Sequence, residues 1–227
     1  MRVINELINK LLPESYNELL ALISQYRVRT QKSRQIDNKN RLKISELLNT
    51  PRPIKLELGA GENRGIEGWT YADSNESCDL TLDLSQPLPL PDNCIQTIYS
   101  SHLLEHFEYH DLLNCLAESL RVLKLGGTFS AAVPNARIYL EAYLDPEGFD
   151  SDVFCRHLPA YHGNGKIDFI NYVAYMAGGH RHMFDEENIV SILKKVGFRK
   201  VRLRDFDSIL DKPGRNSQSL YVLAEKG

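Results

Sequence analysis

The run Glu57-Leu58-Gly59-Ala60-Gly61 places a carboxylate just ahead of two closely spaced glycines. It ends the short apolar segment that begins at Ile54, which reads as a strand. Glycine has no Cβ, so a glycine turn lets a ligand come close to the backbone. In an open parallel sheet, ligands bind at the carboxyl ends of the strands, where this turn falls. Asp73 follows a second strand candidate, Trp69 to Ala72, twelve positions after Gly61. A dinucleotide site calls for G-x-G-x-x-G and an acid about twenty residues further on. Here Arg64 stands at the third glycine position and the acid comes early, which disfavours a nucleotide-linked oxidoreductase. Glu57 would repel a pyrophosphate but not a cationic sulfonium amino acid. Asp73, at a strand end, can accept hydrogen bonds from both hydroxyls of a ribose.

These residues need a frame. The first fifty residues read as helical: Leu7, Ile8, Leu11 and Leu12 form one stripe, Tyr16, Leu19, Leu20 and Ile23 a second, with Pro13 between them. A third helix is predicted from about Ile36 to Leu48, ending before Pro51 and Pro53. Residues 1–50 are therefore expected to form a helical appendage on a catalytic domain spanning 51–227. Leu80 to Leu82 is a third strand candidate, and Pro87, Pro89 and Pro91 mark an extended loop. Ile95 to Ser100 reads as a buried strand. Tyr109 to Lys124 reads as an amphipathic helix carrying Leu112, Leu113, Leu116, Leu120 and Leu123 on one face. Gly126-Gly127 should end it, with a strand from Thr128 to Val133. Ile138 to Gly179 is rich in aromatics and shows no clear period. Asp185 is an N-cap candidate, Ile189, Ile192, Leu193 and Val196 form a buried face, and Gly197 suits the position after the helix. Phe198 to Phe206 and Leu220 to Ala224 complete the strands as an antiparallel pair. This order of elements predicts an α/β fold with a mainly parallel sheet.

With its elements in this order, the sequence resembles the class I S-adenosylmethionine-dependent methyltransferases, above all the type 11 group. The resemblance runs from about Ile54 to the C-terminus. It is carried by Leu56-Glu57-Leu58-Gly59-Ala60-Gly61, Tyr71-Ala72-Asp73, Asp83-Leu84, Ile98 to His106, Arg121 to Gly127, and Gly179 to Asp185. It implies a Rossmann-like, mostly parallel seven-stranded sheet with an antiparallel last strand, and S-adenosylmethionine as cofactor. Carried over by position, Glu57, Gly59 and Gly61 would contact the methionine part, with Asn63 standing where a third glycine is usual. Asp73 would hold the ribose, Asp83 and Leu84 would meet the adenine, and Ser101 and His102 would lie near the sulfonium. The gap between Gly61 and Asp73 is too short for the usual connecting helix, so the loop Glu62 to Gly68 is expected to replace it.

The histidines are the candidates for chemistry on the acceptor. His102 is placed at the cofactor rim or the acceptor site. His106 lies four residues on and would share a helix face with it. No third ligand is evident nearby, and the glutamate does not match H-E-x-x-H, so no metal site is expected. His106 is read as structural, tying its helix to a loop. His180 and His182 close the aromatic insertion, 138–184, which is expected to cover the active site. One of them is expected to orient the acceptor or take its proton, unless both only anchor the insertion. His157 and His162 are weaker candidates of the same kind.

The net charge of −3 argues against a nucleic-acid partner. The basic residues between Arg27 and Lys43 read as a solvated helix face. None of the four cysteines sits in a CxxC pair, so reduced thiols are expected. The start has too short an apolar run for a signal peptide, and no stretch reaches the length of a membrane span. The sequence therefore points to a cytoplasmic methyltransferase acting on a small molecule or glycan. The alternative is a module of the same fold that binds the cofactor, or a partner, without turnover. The oligomeric state is not legible.

Overall fold

A computed structural model describes residues 14–62 and 66–227 of the chain. The chain divides into two compact units between Lys43 and Ile44. Helix α1 (Glu14–Leu48) is continuous where two separate helices were expected at about 16–23 and 36–48. The reason lies in what is missing from it: no proline or glycine occurs between Glu14 and Leu48, so nothing interrupts the backbone ladder. The stripe expected at Leu7 to Leu12 lies outside the described residues. No helix among the described residues is long and apolar enough to cross a membrane.

The second unit is built on seven strands: β1 (Lys55–Leu58), β2 (Trp69–Asp73), β3 (Leu80–Thr81), β4 (Ile95–Ser101), β5 (Leu123–Pro134), β6 (Arg199–Leu203) and β7 (Ser219–Glu225). Their order is β3-β2-β1-β4-β5-β7-β6. Strands β1 to β5 pair in parallel, and β7 runs antiparallel to both β5 and β6. This is the Rossmann-like methyltransferase fold with its antiparallel last strand. Alternation along the strands separates two faces. Leu56 pairs with Ile98, while Glu57 lies between Tyr71 and Tyr99 on the other face.

Five further helices follow the same logic: α2 (Tyr109–Val122), α3 (Ala136–Leu144), α4 (Ser151–Phe154), α5 (Ile167–Tyr175) and α6 (Glu186–Val196). Helix α2 buries Leu112, Cys115, Leu116 and Val122, and α6 buries Ile189, Ile192 and Leu193. Both sets join Leu56, Leu58, Ile98, Phe129 and Val222 in the main core. Asp185 caps α6 through a full capping box with Asn188, and Gly197 leaves the helix at φ 117°.

Two expectations need correction. Gly126-Gly127 does not separate helix from strand, because α2 ends at Val122 and β5 already begins at Leu123. A Cβ on Gly127 would lie 2.8 Å from the Lys124 carbonyl oxygen and 3.0 Å from that of Gln96. The pair lets β5 bend against β4, where the register shifts between Ile95 and Thr97. The aromatic stretch is also more regular than its sequence suggests. It holds α3, α4 and α5 around a second core of Tyr139, Phe169, Tyr172 and Val173. The four cysteines are free thiols.

Candidate functional site

The carboxyl ends of β1, β2 and β4 meet at one edge of the sheet. Gly59 and Gly61 turn the chain after β1 with φ of 71° and 60°. The turn is tied to β2: the Gly59 amide donates to the Ala72 carbonyl at 2.9 Å, and the Gly61 amide to Asp73 Oδ2 at 3.0 Å. The other Asp73 oxygen accepts from the Asn75 amide at 2.9 Å. Glu57 is buried on β1, two residues before the turn. Asp83 is exposed beyond β3 and accepts from the amide and hydroxyl of Ser85, while Leu84 is buried. Ser101 is buried at the end of β4. Asn63 lies outside the described residues. Among those residues, no helix connects β1 to β2.

His102 follows β4 in a left-handed conformation, φ 52°, which a residue with a Cβ adopts only under constraint. Its amide donates to the Ala132 carbonyl at 2.9 Å, and its Nε2 lies 2.7 Å from Ser219 Oγ. Burial, aided by the positive charge of Arg215, pushes its pKa down to about 3. The ring is therefore neutral near pH 7. Glu105 sits in the single turn Leu104–His106 with its side chain 1% exposed. Burial raises its pKa to about 8. Neither of its carboxylate oxygens has a hydrogen-bond partner among the described residues.

A cleft of about 310 Å³ opens beside these groups. His102, Glu105, His106 and Pro134 line it from the sheet side. The insertion adds Tyr139, His157, Tyr172, Val173, Met176 and His180, and the segment before β7 adds Arg215 and Gln218. The insertion is held here by its backbone: the amides of Arg181 and His182 both donate to the Glu105 carbonyl, at 2.8 and 3.1 Å. His180 is buried, with Nδ1 2.8 Å from the Val173 carbonyl. Burial holds its pKa below the usual imidazole range. His106 Nδ1 lies 2.8 Å from the Gly179 carbonyl.

His182 is placed differently from His180. It packs between Tyr109 and Phe184, with ring centroids 5.8 and 4.8 Å away, and it does not line the cleft. The expectation for the pair thus divides, with His180 at the cleft and His182 outside its lining. Sequence reasoning missed Glu105, Arg215 and Gln218 as lining residues, whereas Tyr139 belongs to the insertion expected to cover the site. Only Glu105 carried a signal, a carboxylate inside an otherwise apolar turn beside two histidines.

Residues 57–131 match the family model of a methyltransferase domain. The match runs from β1 into β5, so this part of the chain is similar to a methyltransferase domain. No curated protein matches the chain. Among solved structures it is similar to an S-adenosylmethionine-dependent methyltransferase from Archaeoglobus fulgidus, with 19% identity over 88% of this chain and 99% of that one, TM-score 0.48. It is also similar to a possible histamine N-methyltransferase from Thermotoga maritima, with 12% identity over 89% and 97%, TM-score 0.47. A third is an S-adenosylmethionine-dependent methyltransferase from Mesorhizobium loti, with 16% identity over 76% and 90%, TM-score 0.46.

Proposed function

We propose that this domain transfers the methyl group of S-adenosylmethionine to a nucleophile on a small molecule or glycan bound in the cleft below the insertion. The observation that carries this reading is the position of the cleft. Its wall residue His102 directly follows β4, and β4 is the neighbour of β1, whose glycine turn abuts Leu103. A cofactor lying across that turn would present its methyl group toward the cleft. The volume suits a small acceptor group.

With the cofactor bound, an acceptor lone pair would bond to the methyl carbon while the carbon–sulfur electrons stay with the departing S-adenosylhomocysteine, and the acceptor's proton would pass to solvent. Since the sulfonium is already a good leaving group, the protein's part is to position the acceptor and exclude water, an effect that can reach roughly 7–11 kcal/mol. Glu57, Gly59, Gly61, Asn63, Asp73, Asp83, Leu84 and Ser101 are assigned to the cofactor, and His102 and His180 to the acceptor. A histidine with a pKa of about 3 is a weak base for a hydroxyl. His102 is therefore assigned to positioning.

S-adenosylhomocysteine at a hundred times its dissociation constant should stabilise the protein by about 2.7 kcal/mol. A thermal shift assay measures this, and no shift at millimolar ligand would sink the cofactor assignment. Asp73→Ala should weaken that binding about tenfold or more, since hydrogen bonds to a charged group contribute about 1.5–3 kcal/mol. Because Asp73 also holds the Gly61 amide, the loss should exceed that of Asp83→Ala. Calorimetry on both folded variants tests the order. Methyl transfer itself is tested with labelled cofactor against a panel of amines, phenols and sugars. Binding without transfer to any of them would favour the non-catalytic module.

A further inference from the structure

The hydrogen bonds around Glu105 fix where the protons of three histidines lie. A backbone carbonyl can only accept, so His180 Nδ1, 2.8 Å from the Val173 carbonyl, carries its ring proton. The same holds for His106 Nδ1 against the Gly179 carbonyl at 2.8 Å. Ser219 Oγ lies 2.8 Å from the Arg215 carbonyl, which takes its one hydrogen. Ser219 therefore accepts from His102 Nε2. In the tautomers so fixed, the bare nitrogens are Nε2 of His180, Nε2 of His106 and Nδ1 of His102. His102 Nδ1 is 3.5 Å from Glu105 Oε1, and His180 Nε2 is 4.0 Å from the same oxygen. One ring nitrogen from each of His106 and His180 and one Glu105 oxygen lie within 4.8 Å of one another.

With Glu105 ionised, acceptors face acceptors. A buried carboxylate without a donor, ringed by imidazole lone pairs, is unfavourable unless a proton or a cation stands among them. We propose that Glu105, His106 and His180, with His102 at the edge, form a binding site for one divalent transition-metal ion such as zinc or cobalt. Carbonyls that hold the far nitrogen of each imidazole are the usual outer partners of metal-bound histidines. Imidazole-rich sets favour zinc, cobalt and nickel over magnesium or calcium. Ligand atoms about 2.0–2.2 Å from an ion stand about 3.4 Å apart, so small side-chain rotations close the set. Glu105, His106 and His180 also line the cleft, so the ion keeps an open position toward its contents. The third ligand that the sequence lacked beside His102 and His106 comes from a loop more than seventy residues away.

The test uses the full chain, stripped with a chelator, without cofactor or acceptor, so it does not depend on methyl transfer. Cobalt(II) is titrated and its visible ligand-field spectrum recorded, followed by displacement with zinc in a calorimeter. One cobalt per chain with the strong absorption of a four- or five-coordinate ion is expected. His106→Asn and Glu105→Gln, each verified as folded by circular dichroism, should weaken cobalt binding by roughly 100-fold or more, beyond the 10–100-fold typical of losing an outer partner. His110→Ala, an exposed control on α2, should leave it unchanged. If Glu105→Gln fails to fold, His106→Asn decides alone. Absence of stoichiometric cobalt and zinc binding in the wild type would overturn the proposal. So would equal affinity in wild type and folded His106→Asn.

Discussion

Replacing Gly59 by alanine should destabilise the protein by about 2–5 kcal/mol, whereas the same change at Gly61 should cost only about 1–2 kcal/mol. Both glycines are left-handed, with φ of 71° and 60°, so both pay the backbone penalty of an added Cβ. They differ in surroundings. A Cβ on Gly59 would lie 2.7 to 2.9 Å from three carbons of the Leu103 side chain. Among the described residues, a Cβ on Gly61 would meet nothing within 4 Å. Leu103 cannot swing away freely, because it packs against the core and precedes the turn that carries Glu105. The clash adds an overpacking cost of about 1–3 kcal/mol. Urea denaturation of the two variants measures the difference. Equal losses would mean that Leu103 relaxes and that only backbone strain matters. The functional consequence follows from geometry: Gly59→Ala pushes directly on the residue after His102, so acceptor binding should suffer beside cofactor binding.

That coupling between the β1 turn and the β4 turn was only half legible in the sequence. The strands could be read because each is marked by punctuation: Gly59 after β1, Asp73 at the end of β2, the prolines before β4. Helix α6 could be read because Asp185 caps it and Gly197 stops it. The helices of the insertion escaped notice for a physical reason. Their buried faces, Ala136-Tyr139-Ala142 and Phe169-Tyr172-Val173, have helical spacing, but aromatic residues are poor helix formers and the two alanines hide in the pattern. Tertiary packing of the rings, such as Phe149 on Phe169 at 4.5 Å, supplies what propensity does not. The cluster around Glu105 was illegible for another reason. Its members are adjacent only because the chain returns after the insertion and hangs two amides on the Glu105 carbonyl. No local spacing encodes such a contact.

Asp211→Ala should cost about 3–5 kcal/mol near pH 7, the usual loss when one partner of a buried ion pair is removed. Asp211 is 4% exposed and accepts four hydrogen bonds. They come from Tyr99 Oη at 2.9 Å, Arg204 Nη1 and Nη2 at 2.6 and 2.8 Å, and the Asp207 amide at 2.7 Å. Removing the carboxylate strands a guanidinium that is 13% exposed and a buried tyrosine hydroxyl. Arg204 would keep Ser130, the Asp205 carbonyl and the face of Tyr221, with the charge of Asp207 nearby. The double variant Arg204→Met/Asp211→Leu should recover part of the loss, since no uncompensated charge then remains. The pH dependence has a definite sign. Burial alone would raise the Asp211 pKa, but the hydrogen bonds and charge of Arg204, with the Asp207 amide, hold it below the usual carboxylate value. The stability it contributes is present above the unfolded pKa of about 3.9 and is lost as pH falls through the lower folded value. The gap between wild type and Asp211→Ala should therefore be full near neutrality and narrow only in acid below that point. A gap of constant size into strong acid would refute the pair as its source. The same residue bears on the site, because Arg215 and Gln218 of the cleft follow it in the chain. A loosened Asp211 should widen that wall, so acceptor affinity should fall more than affinity for S-adenosylhomocysteine.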